Sequence, residues 1–236
     1  MPPASQAHVG ASPARSSSLL EDVRTAVVPG RGDLGILAVM LLPGAVAMVV
    51  VGAAAYFSEE TLGTFTRDPL AVARMHPLTG VISNLGAILW SAGAALPLFT
   101  WFALRALGNP GRFQGVLLGG GLLTALLLFD DLFMLHESLY PRYLGLGTES
   151  EGPILGIYGL CMAAYLVRGR ARLLEARPFL LAAALGLFAL SVVGDQFVPR
   201  EVRGRHMFED GLKFLGIAAW LAFQGSVCLR ALRERS

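Results

Sequence analysis

Charge is what this chain has least of. Only 15% of its 236 residues are Asp, Glu, Lys or Arg, against about 25% in ordinary soluble domains. Meanwhile 54% of them are hydrophobic. One core of this size cannot hide so much apolar surface and still turn a polar face to water, so a soluble enzyme is excluded, and with it a nucleic-acid partner. Cysteine is nearly absent too. Cys161 and Cys228 both fall inside apolar blocks with no CxxC spacing, which argues against a structural disulfide and a thiolate zinc site. There is no HExxH, ExxH or HxxxH motif. Lysine occurs once, as Lys213, beside eighteen arginines.

Long apolar runs are what it has instead. Six blocks approach the ~20 residues needed to cross a bilayer, at about 34–57, 81–104, 113–139, 152–168, 178–198 and 207–229. The fold class expected is an all-α integral membrane protein, a six-transmembrane helical bundle spanning 34–230. Residues 1–33, rich in Pro, Ser, Ala and Gly, read as a flexible cytoplasmic tail, and 231–236 as a short cytoplasmic end. The first run is too long for the core of a signal peptide. Turn-forming residues mark the connections, among them Asp68-Pro69, Gly108 to Gly111, Gly145 to Gly152, Arg168 to Pro178 and Pro199 to Arg205.

An even number of spans puts both termini on one side. Arg15, Arg24, Arg31, Arg105, Arg112, Arg168, Arg170, Arg172, Arg177, Arg230, Arg233 and Arg235 fall on the tail side, twelve in all. Six fall opposite: Arg67, Arg74, Arg142, Arg200, Arg203 and Arg205. The excess of basic residues places both termini in the cytoplasm and the protein in the cell's inner membrane. Gly115 and Gly119, extended by Gly120 and Gly121, read as a face along which helices approach closely.

Ionisable groups inside spans are costly, about 2.5–3.5 kcal/mol each at mid-bilayer, and therefore mark candidate sites. The third span ends in Asp130-Asp131-Leu132-Phe133-Met134-Leu135-His136-Glu137. In a continuous helix Asp130 and Glu137 lie roughly 20° apart, and His136 points about 120° away from Asp130. Counted down from Pro141, Asp130 is roughly 15 Å deep. In the sixth span His206, Glu209, Asp210, Lys213, Trp220 and Gln224 share an arc of about 100° and should face the bundle. Glu209 and Lys213 have the favourable i, i+4 order for an ion pair. The one lysine is also the one basic residue well inside a span, and among the basic residues lysine is the one that loses its proton readily when buried. Asp195 lies near the outer end of the fifth span. Tyr158 and Tyr165 share a face of the fourth with Cys161, a pattern of packing or interfacial anchoring.

So many carboxylates together need protons, a cation or a paired base. Asp130, Asp131, His136, Glu137, Asp195, His206, Glu209 and Asp210 form a ligand set suited to a divalent Mn, Fe or Zn ion. The first functional expectation is a hydrolase or transferase, with or without that metal, acting on a lipid-like substrate at the outer leaflet. Asp130, Glu137 and Lys213 would be its catalytic groups. Asn84, Arg200, Arg203, Arg205 and Trp220 would bind substrate. Two alternatives stay open: a proton- or cation-coupled transporter or channel, and a membrane sensor or assembly subunit with a structural polar core. Partners expected are membrane lipids and a second copy of the chain.

Overall fold

The computed structural model describes residues 31–58, 61–108, 111–143, 151–197 and 205–234. Arg200 and Arg203 lie outside the described residues, as do the side chains of Asp195, Arg205 and His206. Every described element is helical. Among the described residues, five helices are long and apolar enough to cross a membrane by length and composition. The chain divides into two units, Met1–Thr79 and Gly80–Ser236.

In the first unit, α1 (Arg31–Ser58) is apolar on all sides, with Leu41, Leu42, Met48, Val49 and Val50 all exposed. A helix with no polar face suits a membrane or a large core. Two single-turn helices follow, α2 (Leu62–Thr66) and α3 (Pro69–Ala73). The Asp68 carboxylate accepts the Ala71 N–H at 2.9 Å, and Pro69 occupies the first helical position, where its missing N–H costs nothing.

The second unit holds α4 (Val81–Ala106), α5 (Gln114–Phe133), a π-helical segment Leu135–Leu139, α6 (Tyr140–Tyr143), α7 (Glu151–Glu175), α8 (Pro178–Phe197) and α9 (Arg205–Arg233). α7 runs on to Glu175, past the stretch from Arg168 whose composition reads as a loop; straight-chain arginines keep a helix well, and the break comes only just before Pro178. α8, at twenty residues, is as long as α5.

α9 is the hub, packing on α8 and α4 and, more lightly, on α5; α4 in turn packs on α5 and α5 on α7. The reason is readable in spacing. α4 buries Gly86, Trp90, Gly93, Pro97, Thr100 and Leu104, one stripe at steps of three and four residues. α9 answers with Ile217, Trp220, Phe223, Gln224 and Val227. Trp220 is wholly enclosed, donates its indole N–H to Thr124 Oγ1 at 2.9 Å, and meets the rings of Tyr165 and Phe223. Thr124 donates its own O–H to the Gly120 carbonyl at 2.6 Å.

The glycines of α5 differ in role from the sequence expectation. A Cβ on Gly115 would meet nothing within 4 Å. On Gly120 it would lie 2.8 Å from both Gln224 Nε2 and the Tyr165 hydroxyl, and on Gly121 it would lie 2.7 Å from Leu98 Cδ2 and 3.3 Å from the Ala94 carbonyl. The close approach is therefore made by Gly120 and Gly121. Gly121→Ala is expected to lower stability by about 1–3 kcal/mol through overpacking. Gly115→Ala should be neutral or stabilising, since alanine is the better helix former by about 1 kcal/mol. Unfolding of the two variants in detergent checks this; equal losses would mean that both glycines lie in the packed seam.

At the end of the bundle where α5 begins, Arg112 ties three elements together. Its Nε donates to Glu234 Oε2 at 3.1 Å and a terminal nitrogen to Glu175 Oε2 at 3.1 Å, while Arg172 donates to the other Glu175 oxygen at 2.6 Å. The hydrogen bond from Arg112 holds the Glu234 carboxyl below its ordinary pKa.

Candidate functional site

The opposite end of the second unit carries the ionisable cluster, and a backbone break creates it. α5 stops at Phe133. Met134 takes the left-handed conformation, φ 47° and ψ 48°, and gives its N–H to the Asp130 carbonyl. A π-turn follows, with the Ser138 and Leu139 N–H groups both donating to the Met134 carbonyl at 2.9 and 3.1 Å. A left-handed residue that is not glycine is uncommon, and π-turns gather at functional sites. The consequence is geometric. His136, expected on the far side of a continuous helix, is folded back onto Asp130. Asp130 itself is three residues from its helix end, not ten residues below a loop.

Asp130 is buried, 6% exposed, and is surrounded by donors. The His136 backbone N–H reaches Oδ1 at 3.1 Å and the Tyr158 hydroxyl reaches the same oxygen at 2.9 Å. His136 Nδ1 lies 2.6 Å from Oδ2. A carboxylate in this setting offers only acceptors, so Nδ1–H donates to it and Nε2 becomes the free ring nitrogen. Nε2 points toward Glu137, 3.6 Å from Oε1, and the Tyr158 ring stands edge-on to the imidazole. A carboxylate that fixes the tautomer and angle of an imidazole, leaving its other nitrogen available, is the orienting arrangement of acid–base catalysts.

Beside this dyad Asp131 of α5 pairs with Lys213 of α9. The cross-helix partner corrects the expectation that Lys213 would pair with Glu209 on its own helix: Asp131 is nearly buried, 12% exposed, and a buried carboxylate recruits the available cation. Two cavities among the described residues share the pair. The larger, about 390 Å³, is lined by Asp130, Asp131, His136, Glu137, Glu209 and Lys213 on its polar side. Trp90, Leu127, Leu155, Met162, Phe188 and Val192 line it on the apolar side. Tyr158, Gly159 and Ser191 also line it, and Ser191 donates to the Glu209 carbonyl at 3.1 Å. The smaller cavity, about 30 Å³, contains Ser83, Asp131, Asp210 and Lys213.

The expected residues thus divide. Asp130, Asp131, His136, Glu137, Glu209 and Lys213 come to one pocket. Asp210 is exposed and lies on the other side of the ion pair. Asn84 is exposed and lines neither cavity. Trp220 and Gln224, both fully enclosed, belong to the packed core below, so neither the substrate role for Trp220 nor an open path along the α9 stripe matches their positions. Among the described residues no three His, Cys, Asp or Glu side chains converge to hold a metal ion. Asp130 instead accepts from three donors and Asp131 pairs with Lys213.

Tyr158 is the site residue that sequence reasoning missed. Its signal was a tyrosine within a span, whose hydroxyl needs a partner once buried; spacing alone cannot tell Tyr158, aimed at Asp130, from Tyr165, which sits in the core.

The pocket falls within the part of the chain that comparison with known proteins recognises. No curated protein and no solved structure matches the chain. Residues 37–227 match the model of a family described as a domain of unknown function, DUF8692. With that match covering most of its length and all of the pocket, this helical, apolar chain belongs to the DUF8692 family.

Proposed function

We propose that the protein is a six-span membrane enzyme of the cell's inner membrane, with both termini cytoplasmic. In this reading it is a hydrolase or transferase that uses acid–base chemistry on a lipid-like substrate at the outer leaflet. The observation that carries this is the Asp130–His136 dyad at the polar wall of an amphiphilic pocket. Its placement is supported by length: Lys213 and Arg233 are twenty residues apart on α9, roughly 30 Å, which matches the hydrocarbon thickness of a bilayer. The Arg112–Glu175–Glu234 network would then lie at one membrane surface and the dyad near the other. α8 is the fifth span in chain order, and its twenty residues give roughly 30 Å, enough to cross with the others.

In the reaction His136 Nε2 takes a proton from water or an acceptor hydroxyl as it attacks the scissile bond, and returns it to the leaving group. Asp130 holds the ring and stabilises the imidazolium between those steps. Lys213, paired with Asp131, stabilises negative charge developing on the substrate. The apolar wall takes the substrate's hydrocarbon portion, and the basic run Arg200, Arg203 and Arg205 takes an anionic head group.

The test is turnover of amphiphilic esters, amides and phosphodiesters by purified protein in nanodiscs, wild type beside His136→Gln. The wild type should cleave at least one of these bond classes, and the variant should be slower by about 10²–10⁴-fold, the usual worth of a positioned acid–base group, with unchanged melting. No turnover of any class, or equal rates, would overturn the assignment. In the latter case proton flux into liposomes would be the next assay for the ionisable cluster.

A further inference from the structure

The opposite half of the α5–α7 interface carries a second feature. A groove of about 760 Å³ runs between the two helices. Arg112, Arg168 and Arg172 line its basic end. Its floor is Gly115 and Gly119, and Leu126 and Cys161 close the far end. The glycines that suggested a helix seam in the sequence therefore do something else. Gly115 has no neighbour within 4 Å of a Cβ position, and Gly119 meets only the Tyr165 ring at 3.3 Å. Their missing side chains hold the groove open, while Gly120 and Gly121, one step round the helix, make the packed contact.

Two dimensions describe what fits. From Gly115 to Leu126 is eleven residues of α5, roughly 16 Å along the helix; one leaflet contributes about 15 Å of hydrocarbon, with the arginines beyond it for a head group. The cations are not equivalent. Arg112 and Arg172 are engaged by Glu175 and Glu234, whereas Arg168 is exposed and has no carboxylate partner among the described residues. Basic pockets between spans, open to the membrane, favour anionic head groups.

We infer that this groove is a binding site for one anionic phospholipid of the leaflet on the basic side, its phosphate on Arg168 and an acyl chain along Gly115 and Gly119. The inference rests on the membrane placement alone and is independent of the acid–base chemistry at the other end, so turnover and lipid binding fail separately.

Native mass spectrometry of detergent-purified protein titrated with phosphatidylglycerol or phosphatidylcholine tests it. One phosphatidylglycerol should be retained in preference to phosphatidylcholine. Arg168→Gln should reduce that preference about fivefold, the worth of one basic residue at an anionic surface. Gly115→Leu, whose Cβ would meet no atom within 4 Å and whose side chain extends into the groove, should abolish retention while melting no lower than wild type. Arg170→Gln removes an equal charge two residues away and outside the groove, and should leave binding within about twofold, as expected for a charge that touches no part of the site. Inorganic phosphate should not displace the lipid. Equal retention of both lipids would overturn the site. So would equal effects of Arg168→Gln and Arg170→Gln, or undiminished binding by Gly115→Leu. Displacement by free phosphate would assign the arginines to a soluble anion instead.

Discussion

Asp130→Asn is expected to lower turnover by about 10²–10⁴-fold, a loss of the size seen when the residue that orients a catalytic imidazole is neutralised. Three donors converge on this carboxylate: the His136 ring, the His136 backbone N–H and the Tyr158 hydroxyl. Asparagine keeps one acceptor oxygen and replaces the other by an NH2 group. Whichever way the amide turns, one of these donors loses its acceptor. If the amide nitrogen faces Nδ1, the imidazole must carry its proton on Nε2, and the atom that should accept a proton is blocked. If it faces Tyr158 and the backbone, the π-turn loses its anchor. The stability cost should be about 1–3 kcal/mol, for a buried donor left unpaired. Tyr158→Phe removes only the outer hydrogen bond and should therefore cost less in rate than Asp130→Asn. Turnover and thermal melting, measured on the same nanodisc samples, separate the two effects. A variant that melts like wild type and reacts like wild type would mean that Asp130 neither orients the histidine nor anchors the turn.

The largest effect on stability should come from Trp220→Ala, about 3–5 kcal/mol. Trp220 is fully enclosed against Tyr165, Phe223 and Thr124, at the centre of the helix that packs on three others. In a membrane the usual transfer term shrinks, because lipid chains are as apolar as the core. What remains is the loss of dispersion contacts around a cavity that rigid helices cannot close, which sets the expectation toward the lower end of the range. Trp220→Phe keeps most of that volume and forfeits the bond to Thr124. Interhelical hydrogen bonds of this kind average about 0.6 kcal/mol, so this variant should stay within about 1 kcal/mol of wild type. Thr124 retains its own bond to the Gly120 carbonyl in either case. Unfolding by SDS in mixed micelles measures both. A Trp220→Ala protein as stable as the Trp220→Phe protein would show that this core has room to collapse.

How much of this was legible beforehand differs from element to element. The apolar helices follow from composition and block length, because a backbone in lipid must satisfy its own hydrogen bonds and a run of some twenty apolar residues has few other solutions. The inward face of α9 was also visible, since Lys213, Trp220 and Gln224 recur at helical spacing and polar groups avoid lipid. Asp130, Asp131 and Lys213 were legible as candidates for the same reason. What one-dimensional spacing could not supply was any relation that crosses helices or breaks one. Nothing in Phe133-Met134-Leu135 announces a left-handed residue, with no Gly, Asn or Pro at the turn, so a continuous wheel put His136 on the wrong side. Asp131 was chosen as the partner of Lys213 over Glu209 by burial, and burial is a property of the packed bundle. Tyr158 and Tyr165 share one face in sequence yet go to the dyad and to the core. Gly115 and Gly120 both read as packing positions, and only the neighbouring helices distinguish the floor of a groove from a contact. Apolar helices with ionisable groups at their ends follow from each segment's own balance of apolar and polar atoms. Which groups meet, and what they enclose, was decided only by the tertiary structure, because pairing depends on distances between segments far apart in the chain.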